Sequence, residues 1–237
     1  MQKLLLALSS LALGLALLSA QNAPSETPAE AAARLKALAA LVKAQGPSYP
    51  LDTCIISGKK LGSNGEPVDL NQDGRLVRLC CKGCVKTVQK DPASVLKKLD
   101  EAVVLAQRGI YPLDTCVISG EKLGGMGPPV EHVDGTRLVR FCCDSCVSEY
   151  KKDPAASMAK INTALIEKLK KDYALDTCPI DGKKLGEQGA PTDVLYGVQL
   201  VRTCSQGCAA AFEKDPLAAL AKVAEARKAV SAGAGKG

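Results

Sequence analysis

The chain has 237 residues, 31 of them Lys or Arg and 25 Asp or Glu, for a formal charge of +6. A hydrophobic fraction of 46% excludes a disordered tail, and an aromatic fraction of 3%, without a single Trp, argues against one large packed core. One His sets aside a catalytic triad or a multi-His metal centre, and eleven Cys, an odd number, cannot all pair with one another as disulfides.

Residues 1–20 read as a signal peptide. Lys3 supplies a short positive start, Leu4 to Leu18 an apolar run, and Ala20 a small residue suited to cleavage. The apolar run is shorter than the roughly 20 residues that a membrane-spanning helix needs, which favours cleavage over retention as an anchor. No later segment is apolar enough to span a bilayer. The expected location is periplasmic or secreted, an oxidising setting for the cysteines. Residues 21–48 follow as a linker and an N-terminal helix starting near Pro28, with Leu35, Leu38 and Val42 on one face. Residues 21–27 and 231–237 read as loose ends.

From residue 49 the chain repeats itself. Cys54, Cys116 and Cys178 are 62 residues apart, as are Cys80, Cys142 and Cys204, and Cys84, Cys146 and Cys208. Tyr49-Pro50-Leu51-Asp52-Thr53, Tyr111-Pro112-Leu113-Asp114-Thr115 and Tyr173-Ala174-Leu175-Asp176-Thr177 precede the first Cys of each unit. Leu-Val-Arg precedes each later Cys cluster, and Asp-Pro closes each unit at 91–92, 153–154 and 215–216. Constant spacing of this kind marks a tandem array. Its units are 49–110, 111–172 and 173–237.

Each unit reads as two short strands, a short helix and a longer helix. In the first, 67–70 and 75–79 flank a turn containing Asp73-Gly74, a hairpin signal. Asp134-Gly135 and Tyr196-Gly197 mark the turns of the others. Pro92, Pro154 and Pro216 suit the first turn of a helix capped by the preceding Asp. Val95, Leu99, Ala102, Val103 and Ala106 share a face of that helix in the first copy. Met158, Ile161, Leu165 and Leu169 do so in the second, and Leu217, Leu220 and Val223 open the last. The fold class is therefore α+β, three small ββα Cys modules alternating with amphipathic helices.

The cysteines common to all three units have the pattern Cys-x25-Cys-x3-Cys. The last two stand at i and i+4, on one face if helical, at or near a helix N-terminus whose dipole favours thiolate. The first precedes a Gly-containing turn and can fold back to meet them. Three converging thiolates make a soft-metal site, suited to Cu(I), or to Zn(II) with a fourth donor. The expected ligands are Cys54, Cys80 and Cys84; Cys116, Cys142 and Cys146; and Cys178, Cys204 and Cys208, for up to three ions per chain. The fourth donor is open. Cys81 and Cys143 are candidates, although adjacent residues of a helix face different ways, and so is Asp181, which stands where the other units have Ser57 and Ser119. Units of about 45 residues are too small to be stable by burial alone, so a metal or a disulfide should staple them.

Two alternatives use the same cysteines. One is a disulfide-stapled interaction scaffold. The other is a thiol–disulfide oxidoreductase working through the Cys-x-x-Cys pairs Cys81/Cys84 and Cys143/Cys146. Unit three, with Ser205 in place of a second adjacent Cys, has no such pair yet keeps the three-Cys set, which favours metal.

The segment Cys204-Ser205-Gln206-Gly207-Cys208, followed by Phe212 and Asp215-Pro216, resembles the YHS/TRASH group of small metal-binding modules. Cys142 to Cys146 with Tyr150 and Asp153-Pro154 matches likewise, and the first unit carries Val88 at the aromatic position. The resemblance covers about 49–92, 111–154 and 173–216, judged on these motifs. It implies a treble-clef or zinc-ribbon-like fold, heavy-metal binding in trafficking, resistance or sensing, and the same nine cysteines as ligands.

The remaining polar residues carry weaker signals. His132 occurs in one unit only and reads as a surface loop residue. Asp52, Asp114 and Asp176 suit turns, with a role beside the metal as the alternative. Arg78, Arg140 and Arg202 would offset thiolate charge or stand exposed at strand ends. The Lys pairs are scattered and lack an aromatic stacking set, which argues against nucleic acid. No phosphate loop, paired carboxylates or Ser/His/Asp set suggests an enzyme. The expected function is exported, non-enzymatic binding of Cu(I) or Zn(II) for storage, delivery or detoxification. The partners are the metal ion and a protein that exchanges it.

Overall fold

The computed structural model describes residues 26–234; the expected signal peptide, 1–20, lies outside the described residues. The chain is α+β, with two-stranded antiparallel sheets and helices in a repeating order. Helix α1 (Pro28–Gln45) and a 3-10 turn (Gly46–Ser48) lead into strands β1 (Val68–Gln72) and β2 (Arg75–Leu79), then helices α2 (Val85–Lys90) and α3 (Pro92–Gln107). The second copy has β3 (Val130–Asp134), β4 (Arg137–Phe141), α4 (Asp144–Tyr150) and α5 (Pro154–Lys170). The third has β5 (Thr192–Tyr196), β6 (Gln199–Thr203), α6 (Gln206–Lys214) and α7 (Pro216–Ala234). Among the described residues no helix is long and apolar enough to cross a membrane.

Each hairpin closes through two residues: Gln72 faces Arg75, Asp134 faces Arg137 and Tyr196 faces Gln199. Such tight loops follow the twist of the strands when the first central residue has positive φ. Asp73 (52°) and Gly74 (77°) both do in the first copy, whereas Gly135 (58°) and Gly197 (64°) lead the other two turns. The helix starts also follow local chemistry. Thr27 and Glu30 form a reciprocal capping box around the first helical residue, Pro28. The Asp91 carboxylate accepts from the Ser94 N–H, and that of Asp153 from the Ala156 N–H, each at 3.1 Å.

Three apolar clusters replace a single core. Val95 and Leu99 of α3 pack with Val77, Leu79 and Val88, whereas Val103, one turn past Leu99, packs with Val139, Phe141 and Tyr150 of the next copy. One helix thus serves two cores. Val88, Tyr150 and Phe212, equivalent in the repeat, are all fully buried. The two rings meet Phe141 and Tyr196 edge-on, with centroids 5.5 and 5.6 Å apart. His132 is not in a loop: it sits half-buried in β3, beside Phe141 and Tyr150. The strand places it at a register position opposite Val139, which its singular occurrence could not reveal.

Polar clamps fix the first two hairpins to the helices before them. The Gln45 side chain accepts from the Leu76 N–H and donates to the Gly74 carbonyl. Gln107 does the same to Leu138 and Thr136 one repeat later. The hydroxyls of Tyr49, Tyr111 and Tyr173 accept from the backbone N–H of Arg78, Arg140 and Arg202. Those arginines are part-buried rather than exposed at the strand ends. Each pairs across its hairpin, with Asp69, Glu131 and Asp193 respectively.

Two helix faces differ from expectation. No residue of α1 is fully buried, and Leu35 is 59% exposed, because this helix packs mainly on the first hairpin and the turn after it. In α7 the buried pair is Ala219 and Val223, one turn apart, and Leu217 is 74% exposed. Val223 and the partly buried Leu220 keep to the expected face, and Ala219 packs where Leu217 does not. Helix α7 also continues through Ala234, so residues 231–234 are not a loose end.

The three hairpin turns converge on residues 45–48. Gln45 holds Gly74, the Ser48 hydroxyl meets that of Thr136 at 2.6 Å, and the Thr136 hydroxyl donates to the Gln45 carbonyl at 2.8 Å. Gly197 lies so close to Pro47 and Ser48 that a side chain there would collide with their backbone. Arg137 completes the junction by donating to the Gly197 carbonyl at 3.0 Å and to Asn162 at 2.8 Å.

Candidate metal-binding sites

The first cysteine of each unit sits in a narrow loop. The Cys54 N–H donates to the Lys59 carbonyl, and the Gly58 N–H donates back to the Cys54 carbonyl. The same pairs recur at Cys116 with Glu121 and Gly120, and at Cys178 with Lys183 and Gly182. Reversal at that point requires left-handed backbone, found at Gly58 (70°), Gly120 (78°) and Gly182 (78°). Asp52, Asp114 and Asp176 contribute through backbone carbonyls, which accept from Leu61, Leu123 and Leu185 two residues past the loop. This fold-back brings the loop over the end of the hairpin.

The other cysteines lie at a strand-to-helix junction. Cys80, Cys142 and Cys204 directly follow β2, β4 and β6, where each strand runs into its cysteines ahead of the helix. Cys84 ends a 3-10 turn, while Cys146 and Cys208 lie in the first turns of α4 and α6. The outcome is convergence all the same. In each unit the three sulfurs lie within 4.8 Å of one another, and Asp181 joins the third set. All eleven cysteines are free thiols, so the disulfide-stapled alternative is not the state of this structure.

Cys81 and Cys143 correct a sequence argument. They are candidate fourth donors, with the reservation that neighbours on a helix diverge. They instead occupy the N-cap, with extended backbone (φ −166°, ψ 164° at Cys81; φ −158°, ψ 167° at Cys143). Extended backbone lets consecutive side chains reach a shared point. The Cys81 sulfur is 3.8 Å from Cys80 and 3.9 Å from Cys84; that of Cys143 is 3.7 Å from both Cys142 and Cys146. In the third unit Ser205 takes the N-cap, and its hydroxyl accepts from the Cys208 N–H at 3.3 Å.

These separations suit a cation. Metal–sulfur bonds of about 2.3 Å place sulfurs about 3.8 Å apart in a tetrahedron and about 4.0 Å apart in a trigonal plane. The Cys80–Cys84, Cys142–Cys146 and Cys204–Cys208 distances are 3.9, 3.8 and 3.6 Å. A disulfide would need about 2.0 Å. The donor set, soft sulfur in a largely buried cleft, fits Zn(II) and Cu(I).

Electrostatics divide the thiols within a set. Burial works to raise the Cys54 pKa, but the Ser57 hydroxyl and the N–H groups of Cys80, Ser57 and Ile56 outweigh it and bring the thiol down to about 6. Cys116 is likewise brought to about 6, against burial, by the Ser119 N–H and hydroxyl and by the N–H groups of Cys142 and Ile118. Cys84 and Cys146 are pushed up to about 12 by burial and by the sulfurs around them. Cys204 reaches about 12 through burial and then Asp181. Asp181 is held at about 2: its desolvation is outweighed by the Cys178 thiol, the Lys183 N–H and the thiols of Cys204 and Cys208. Each of the first two sites thus has a ready thiolate and protons that an arriving cation must displace.

Cys143 yields a direct test. Its thiol is half-exposed and brought down to about 7, first by the Ser145 hydroxyl 3.1 Å away and then by the Cys146 N–H. The thiolate forms as pH rises through that value. In metal-free, reduced protein, iodoacetamide should therefore modify Cys143 well before Cys146, at a rate climbing steeply around pH 7. Peptide mass mapping reads the order, and Cys146 reacting first would contradict it.

No protein-family model, curated protein or solved structure matches the chain.

Proposed function

We propose that the protein is an exported, non-enzymatic metal carrier with one thiolate site per repeat, holding up to three Zn(II) or Cu(I) ions for storage, delivery or detoxification. The carrying observation is the threefold recurrence of three cysteine sulfurs within 4.8 Å of one another, drawn from a loop and a junction about 25 residues apart. A single cluster could reflect packing alone. Three clusters at the same repeat positions, each with unpaired thiols, fit a common chemical use. Cys54, Cys80 and Cys84, with their counterparts, are the ligands. Treble-clef-like modules of the YHS/TRASH kind bounded at 49–110, 111–172 and 173–237 agree with the loop-over-hairpin geometry. Export agrees with the apolar leader. The half-exposure of Cys84 and Cys208 offers a route by which an acceptor protein could take the ion.

The test is metal analysis of the full chain after anaerobic loading with Zn(II), and separately with Cu(I), followed by desalting. About three ions per chain, with thiol reactivity suppressed in all three units, is the expected result. Protein that retains no metal, with all eleven thiols still reactive, would overturn the proposal.

A further inference from the structure

The three sites are not alike, and the difference is a paired exchange. Residues 57, 119 and 181 are equivalent, as are 81, 143 and 205. The first two units combine Ser at the former position with Cys at the latter. The third combines Asp181 with Ser205. Where the extra sulfur is lost a carboxylate is gained, so each unit keeps one further anionic donor beside its three thiols.

The geometry gives each exchange a direction. In units one and two, Ser57 and Ser119 lie 3.2 and 3.3 Å from the sulfurs of Cys80 and Cys142 as neutral hydroxyls. The extra sulfurs of Cys81 and Cys143 sit within 3.9 Å of two members of their sets. Anionic donors there are all sulfur. In unit three the Ser205 hydroxyl is engaged by the Cys208 N–H at 3.3 Å. Asp181 instead brings its two carboxylate oxygens to 3.4 and 3.3 Å from the Cys204 sulfur. The Lys183 N–H, 3.2 Å from Asp181 Oδ1, and the Lys183 ammonium, 3.7 Å from Oδ2, hold it there.

Resting on the metal-binding reading above, we propose that the array is mixed: units one and two are sulfur-only sites that favour Cu(I), and unit three is a three-sulfur, one-carboxylate site that favours Zn(II). Cu(I) prefers soft ligands and gains little from a carboxylate, whereas Zn(II) accepts thiolate and carboxylate together in a tetrahedron. Asp181 and Ser205 are the specificity-determining pair, and one chain carries both metals.

The test is competition. The full chain is loaded anaerobically with excess Zn(II), challenged with two and then three equivalents of Cu(I) buffered by a competing chelator, and analysed for both metals. Two Cu(I) and one Zn(II) are expected at two equivalents, with the residual Zn(II) at least tenfold harder to displace than the first two. Asp181→Ser with Ser205→Cys should abolish that difference. Ser119→Asp with Cys143→Ser should move one further site to zinc retention. Three sites exchanging together, or swapped variants that behave like the parent, would overturn the mixed array while leaving metal binding intact. Failure to retain either metal would instead defeat the reading on which it rests. Because the two variants exchange donors in opposite directions, misfolding of one leaves the other to decide.

Discussion

Cys142→Ser should lower the bound metal from three ions per chain to two and destabilise the second unit far more than loss of a sulfur atom alone would. Cys116, Cys142 and Cys146 belong to the same buried cluster as Phe141, Tyr150 and Ile161, so the metal set and the apolar core of that unit are one structure. That cluster is small, and an ion bound only by the folded form adds about 4 kcal/mol when its free concentration is a thousand times Kd. In a chain of this length 1 kcal/mol moves the melting temperature by about 2–4 °C. Stripping all three ions from the parent should therefore lower its transition by about 24–48 °C, and Cys142→Ser should show one ion's share of that loss, on the order of 10 °C, even when metal is supplied. Calorimetry with metal analysis on the same samples is the check. A parent whose transition ignores chelation, or a Cys142→Ser variant still binding three ions, would contradict the coupling of metal to core.

Much of this arrangement was legible because the chain states its plan three times. The 62-residue spacing fixed which residues are equivalent, and the Asp-Gly and Gly turns, the Asp-Pro caps and the apolar face of α3 then followed from local rules. The conformation at the cluster was less legible. A spacing of four between Cys80 and Cys84 fits a helix face, yet it also fits a strand end and the first helical turn. Only the observed backbone at Cys81 distinguishes the two, and that choice decides whether Cys81 faces the other sulfurs. The same limit applied to Arg78, Arg140 and Arg202. Position in sequence fitted thiolate charge balance and strand-end exposure equally, and strand register instead put an acidic residue directly across from each. Contacts between copies left almost no local trace. Gln45 and Gln107 are equivalent, but nothing near Gln45 in sequence points to Gly74, and the third copy has Leu169 in that place.

Gly197→Ala should be the most damaging single substitution in the hairpin turns, because Gly197 meets two separate demands. Its φ of +64° is the left-handed geometry that costs an Ala about 1–2 kcal/mol. Its missing Cβ also makes room for the backbone of Pro47 and Ser48; an added one would overlap the Pro47 carbonyl and stand 2.7 Å from the Ser48 nitrogen. Backbone cannot rotate aside as a side chain can, so the third hairpin must withdraw from the junction and strain its bond from Arg137. Gly186 isolates the first demand: its φ is +88°, but a Cβ there would meet nothing within 4 Å. Gly186→Ala should cost about 1–2 kcal/mol, whereas Gly197→Ala should cost at least about 2 kcal/mol more and lower the melting temperature by a further 4–8 °C or so. The larger effect has a second signature. Residues 45–48 tie the hairpin turns of the first and second copies to that of the third. Loosening the last should split one cooperative calorimetric transition into two, with the third copy melting first. Equal losses in the two variants, or a transition that stays single in Gly197→Ala, would mean that the contact with Pro47 does not bind the array together.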